Sequence, residues 1–255
     1  MKKTIYTTQV IFKEIVRDKF FLFLGLGSLL FFFLTLIFNE MVVGQTAKVT
    51  KDLTLSALNI FPFLFLLIYG TRLISKEIES KSIYTILIRP FKRWEYFLAN
   101  LLALFFSTII LNLIIFLLGI TTIFIFYGEI WIKAPFIHLL FTLSESLLLS
   151  GFAVFYSAIF SSSVSLMLFF ITYGIGHSIE ESLKSIAEGS GVALKPFINI
   201  IKFIIPNLSF FDYKTELLYS IKIPEMTLAF SALYSFTYTF LIFILAVYFF
   251  RRKEL

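Results

Sequence analysis

The sequence predicts an all-α, polytopic membrane protein with six transmembrane helices, and three observations carry that reading. Composition comes first: 59% of the 255 residues are hydrophobic and 19% aromatic, with 35 Phe, whereas soluble domains hold about 45–50% apolar residues. Long apolar runs come second: several are long enough, at ~1.5 Å per residue, to cover a ~30 Å hydrocarbon core. Charge comes third: the formal net charge is +6, and the basic residues gather beside the apolar runs. Anionic headgroups attract such clusters, so the positive balance does not point to nucleic acid. The chain has no cysteine, which excludes disulfides, thiol chemistry and thiolate metal sites.

Met1-Lys2-Lys3-Thr4 carries the charge of a signal-peptide start. Lys13, Glu14, Arg17, Asp18 and Lys19 then interrupt any apolar stretch, and no small-residue cleavage site follows the first long run. An uncleaved, cytoplasmic N-terminus is expected. Residues 4–19 read as an interfacial helix, with Ile5, Ile11, Phe12, Ile15 and Val16 on one side of a 3.6-residue wheel and Lys13, Glu14 and Arg17 on the other. A solvated lead-in to the first span is the other reading of the same residues.

The first span covers 20–38, and 39–54 is expected to be a polar loop. The second covers 55–74, where Pro62 is tolerated because neighbouring helices can cover the freed carbonyl. The third, 96–126, is longer than a bilayer requires and should tilt or protrude. A short loop follows, with Trp131 as an interface anchor. The fourth span covers 135–158, Ser161, Ser162 and Ser163 allow a turn, and the fifth covers 164–178. Its helical pattern continues through IEESLKSIAEG to a stop at Gly189 or Gly191. Residues 192–205 contain FINIIKFII, too short to span and too apolar for solvent, so a re-entrant or interfacial segment is expected before the last span. The sixth span, 226–250, ends at Arg251, Arg252 and Lys253. One membrane domain, residues 1–255, accounts for the chain.

Six spans place both termini on one side. Lys2, Lys3, Lys13, Arg17, Lys19, Arg72, Lys76, Lys81, Arg89, Lys92, Arg93, Arg251, Arg252 and Lys253 all fall on that side. The opposite side holds Lys48, Lys51, Lys133 and the lysines from Lys184 to Lys222, and no arginine. The positive-inside rule therefore puts both termini in the cytoplasm of a cell membrane. Residues 74–98 form the one long, basic polar island between two spans. Within it Ile83, Ile86, Leu87 and Pro90 recur at helical spacing, and Pro90 ends the helix by restricting the residue before it. Arg89, Lys92 and Arg93 stand at that stop. A short amphipathic helix with basic residues at its end is suited to docking; the same arginines also serve plain topology.

Of the acidic residues, Glu145 alone sits well inside a predicted span, in TLSESLLLSG. A carboxylate there is costly and is a functional candidate. Contact with a substrate or ion is one reading. A structural group hydrogen-bonded to a neighbour such as Asn112 is the other. His177 and Glu181 stand at i, i+4, half of a metal site at most, and His138 is the chain's other histidine; a helix-surface pair is expected. No P-loop, nucleophile elbow, paired-carboxylate hydrolase or dinucleotide fingerprint occurs, so the chain is not expected to be an enzyme or to bind a cofactor of its own.

The order of four segments resembles the six-span ABC-type-2 permease class, the membrane subunits of ATP-binding-cassette exporters. They are Arg17-Asp18-Lys19-Phe20, the island 77–93 with Ile86-Leu87-Ile88-Arg89-Pro90, Pro206-Asn207-Leu208-Ser209-Phe210-Phe211-Asp212, and the ending Phe249-Phe250-Arg251-Arg252-Lys253-Glu254-Leu255. The chain departs from the class where Gly-Thr is usual before the island helix, here Lys81-Ser82, and where Gly-Lys is usual at the third span, here Ala99-Asn100. The resemblance implies a second permease copy, two separate ATPase subunits that hold ATP and Mg, and membrane lipid around the spans. It makes the island a cytoplasmic coupling helix, with Ile83, Ile86 and Leu87 as contacts and Arg89 and Arg93 as docking charges. A membrane scaffold that needs no ATPase is the competing expectation.

Overall fold

The structure, a computed structural model, describes residues 2–40, 46–81, 93–188 and 205–252. Polar breaks decide where its helices stop. Helix α1 (Lys2–Arg17) ends at Asp18, whose carboxylate accepts the Phe20 N–H at 2.7 Å and so caps α2 (Lys19–Glu40). Helix α3 (Thr46–Ile68) carries the buried Pro62 and passes through a 3₁₀ turn (Gly70–Arg72) into α4 (Leu73–Glu79). Helix α5 (Arg93–Tyr127) is 35 residues long, about 52 Å at the α-helical rise. Gly128 ends it at φ +68° with its N–H on Phe124 O, the left-handed stop that glycine adopts without steric cost. Helix α6 (Lys133–Ile159) breaks at the extended residue Phe160, and α7 (Ser162–Glu188) follows. A 3₁₀ turn (Leu208–Phe211) capped by Asn207, the short α8 (Lys214–Leu218) and α9 (Glu225–Arg252) complete the chain.

Helix α6 is the central member. Two-thirds of its apolar window is buried, against 28% for α2 and for α9, so the peripheral helices turn rows of Phe and Leu outward. Antiparallel neighbours build the bundle. Along α5, Thr50 of α3 meets Tyr127 and Glu77 of α4 meets Tyr96. Near the Trp131 end α3 and α5 come so close that a Cβ on Gly119 would overlap the Thr54 side chain. Helix α9 runs parallel to α6: Thr239 sits on Gly151 and Phe249 on Phe155. Its buried face is the stripe Ser231, Ser235, Thr239, Ile242, Ala246, Phe250, where small residues let helices pack by contact rather than by a hydrophobic drive. Helix α7 supplies the return, antiparallel to α6, with Thr172 beside Tyr156 and His177 beside Glu145.

The two ends of the bundle differ in chemistry. At the Trp131 end, Lys51 pairs with Glu129, Lys214 with Asp52 at 2.9 Å, and Lys48 lies 4.0 Å over the Tyr219 ring. At the Arg93 end, Glu77, Glu79 and Arg93 tie helices to one another.

Five helical stretches among the described residues are long and apolar enough to cross a membrane: 19–37, 46–79, 93–127, 133–159 and 226–250. They contain the expected first to fourth and sixth spans. The fifth, α7, is 27 residues long but ends in SIEESLKSIAE, which limits its apolar length. The polar loop expected over 39–54 is mostly helix instead. Thr50 and Thr54 donate to the carbonyls one turn back, Thr46 O and Thr50 O, so polar side chains are satisfied without leaving the helix. Helix α1 packs along α5 with Ile15 buried and Ile11, Phe12 and Val16 against the core, as its expected apolar face requires; Ile5, the remaining residue of that face, is exposed, and Thr4 and Thr8 are buried instead. The middle of the island, 82–92, and most of the expected re-entrant segment, 192–204, lie outside the described residues.

Candidate functional site

The site grows from one carboxylate. On α6, Ser144 and Ser146 donate to Leu140 O and Thr142 O of their own helix. Glu145 has no such outlet, because a carboxylate cannot donate to a carbonyl. It is 6% exposed and reaches across to α7, where His177 Nε2 lies 2.9 Å from its Oε1. With Glu145 ionised, Nε2 must carry the imidazole proton, since the carboxylate can only accept.

Several contacts hold His177 in place. Its ring meets Tyr173 edge-on at 4.6 Å, and Tyr173 stacks on Phe63 of α3 at 3.9 Å. Its carbonyl accepts from Ser209 Oγ at 3.1 Å. One residue earlier, a Cβ on Gly176 would come within 2.7 Å of Leu208, so glycine is what allows the 205–218 segment to seat on α7. The other side of that segment is held by α9, where the Tyr234 hydroxyl accepts the Asn207 N–H at 2.9 Å.

His138, the other histidine, is fully buried on α6 with Nε2 3.1 Å from Leu55 O. A carbonyl only accepts, so Nε2–H is the donor there, and Nδ1 is left without a partner. Among the described residues no three His, Asp or Glu side chains group in a way that could hold a metal ion.

The residues singled out from sequence fall in three places. Glu145 is in the site. Asn112 is fully buried on α5, but its Nδ2 donates to Thr108 O at 3.1 Å and its Oδ1 has no partner. The Asn112–Glu145 bond offered as a structural reading is therefore absent: the amide nitrogen donates within its own helix, and the imidazole takes the carboxylate. His177 is not confined to a surface pair with Glu181, because its Nε2 is engaged across the helix interface. The signal that could have found this was the scarcity of partners for a span-buried acid in a chain with two histidines.

Ile83, Ile86, Leu87 and Arg89 lie outside the described residues. Arg93 begins α5; its Nη1 donates to Phe250 O at 3.1 Å and its guanidinium lies 5.7 Å from the Phe250 ring. A cation on the last carbonyls of a helix is a favourable cap. On the near side of the island, Glu79 accepts from both the backbone N–H and the hydroxyl of Ser162, at 3.0 and 3.1 Å. That carboxylate caps the start of α7, and Ser75 meets the same serine at 3.0 Å. Each flank of the island is thus bonded to the end of a different long helix.

The model of one protein family, described as a protein of unknown function (DUF2705), matches residues 44–255. This chain belongs to the DUF2705 family. The match begins just before α3 and takes in both partners of the Glu145–His177 pair and both flanks of the island. No curated protein matches this DUF2705 chain.

Proposed function

We propose that this DUF2705 protein is the membrane subunit of an exporter of the ABC-type-2 permease class, driven by a separate ATPase that holds ATP and Mg. The observation that carries the reading is the anchoring of the island. Glu79 grips the first turn of α7 and Arg93 the last turn of α9, so a force on residues 82–92 would reach two long helices at once. Helices α6 and α9 run parallel, and the chain has to return between them. Helix α7 is that return and counts as the sixth crossing. Six crossings put both termini on the cytoplasmic side, where the arginines gather, beside the island on which the ATPase would dock. Ile83, Ile86 and Leu87 are the apolar contacts in this scheme, Arg89 and Arg93 the charges, and a second permease copy completes the assembly.

The test is affinity purification of the full chain from its native cells, with P-loop ATPases identified in the eluate. Arg89→Glu should abolish co-purification while membrane insertion stays intact. Retention of the ATPase by that variant would remove the docking role. If the unaltered chain captures no ATPase, the scaffold reading is favoured.

A further inference from the structure

We propose that Glu145 and His177, together with Asn59 and the Phe63–Tyr173 stack, form the resting state of a site for an organic ammonium group, with the imidazole holding the place that the ammonium takes. The assignment of such an amine as cargo rests on the permease reading; the binding itself does not.

Charge is the first argument. Glu145 is a nearly buried carboxylate among apolar helices, where an unpaired ion is strongly disfavoured. The imidazole answers it with one hydrogen bond, from Nε2. A primary ammonium carries the opposite charge and up to three donors on one atom, so it can reach that oxygen and a second acceptor together. Lys214, the cation of the neighbouring 205–218 segment, is already paired with Asp52 at 2.9 Å.

A second acceptor stands at the same level. Phe63 faces Tyr173, and nearer the Arg93 end Ser75 faces Ser162. The first pair joins α3 to α7, and the second shows that the chain beyond α3 still runs antiparallel to α7. Counting one turn from Phe63 and Tyr173 toward the Trp131 end places Asn59 at the level of His177. Asn59 Oδ1 is buried and has no hydrogen-bond partner, an arrangement that costs stability unless something donates to it. A donor with several N–H groups placed at Glu145 would satisfy both oxygens. The Tyr173 ring borders that point, 4.6 Å from the imidazole, and aromatic rings attract cations.

Access and shape suggest the rest of the ligand. The His177 side chain is 24% exposed, so the pair is open on one side. Phe170 and Ile171 extend from it along the exposed face of α7. A cation with an apolar tail fits a polar point beside such a face.

The experiment uses the full chain in lipid nanodiscs, labelled with ¹⁵N in its two histidines and assigned with His177→Gln. Octylammonium is the probe, with octan-1-ol and octanoate as controls of equal length. Saturable movement of the His177 ring signals by octylammonium alone, with His138 unmoved, is the expected result. Glu145→Gln should weaken that binding by at least about tenfold, the size of a lost charge-assisted bond. Asn59→Leu should weaken it severalfold. Equal shifts with octan-1-ol, or unchanged affinity in Glu145→Gln, would overturn the proposal. If Glu145→Gln fails to fold, seen as loss of the His138 signal, the three probes on the unaltered chain decide. Octylammonium binding without ATPase capture would leave the site standing and remove the permease; the converse would do the opposite.

Discussion

Lys81 adopts φ 59° at the end of α4, with its N–H on Ile78 O. Side chains other than glycine pay about 1 kcal/mol or more there. The permease class that the sequence resembles has glycine at this point, so the departure read from sequence has a conformational cost. Lys81→Gly should stabilise the protein by about 0.5–1 kcal/mol, seen as a higher Tm in detergent; a lower Tm would contradict the strain. Gly119 is the opposite case. Its missing Cβ lets Thr54 nest against the α5 backbone, so Gly119→Val should cost about 1–3 kcal/mol by overpacking, measured by the same melt. Neither effect was legible as more than a residue type. Glu145 was visible from sequence because a span-buried acid stands out in any hydropathy reading. Its partner was not, because His177 lies 32 residues away and only the rotation of α7 about its own axis brings it round.

At the scale of elements, the long apolar runs were the legible part. The breaks at Asp18 and Gly128 were not read from sequence: the Asp18 carboxylate caps α2, and Gly128 ends α5 in the left-handed region. The 39–54 stretch misled because it is polar, and local back-bonding of Thr50 and Thr54 to carbonyls keeps that part helical. The cap on α7 could not be foreseen: Glu79 is distant in sequence and meets Ser162 through the fold of α4 over the end of α6. Glu79→Ala should cost about 0.5–2 kcal/mol, the range for a lost helix cap. Faster hydrogen exchange at the amides of Ser162 to Ser165, with little change in α9, is the expected signature. Uniform exchange across the bundle would argue against a local cap. Gly176→Val should release the 205–218 segment by displacing Leu208, seen as new protease cuts in that segment.

For the whole molecule, charge asymmetry and helix direction make one joint prediction about topology. The absence of cysteine makes the chain its own labelling background. Ser80→Cys, exposed near the Arg93 end, and Ser220→Cys, exposed near the Trp131 end, report the two sides. A membrane-impermeant maleimide applied to intact cells should label Ser220→Cys at once, and Ser80→Cys only after permeabilisation. The reverse pattern would invert the assignment, and equal labelling would remove the six-crossing topology.

The sequence by itself determined that this chain is built of long apolar helices with basic clusters beside them, because hydropathy and charge are sums over residues and need no partners. Which helix sits in the middle, which acid meets which imidazole, and how both flanks of the island are tied down were decided by tertiary structure alone. Those are properties of pairs. A pair across two helices depends on their register and rotation, and contacts such as Gly119 on Thr54 and Gly151 on Thr239 join residues whose pairing no pattern within one helix reveals.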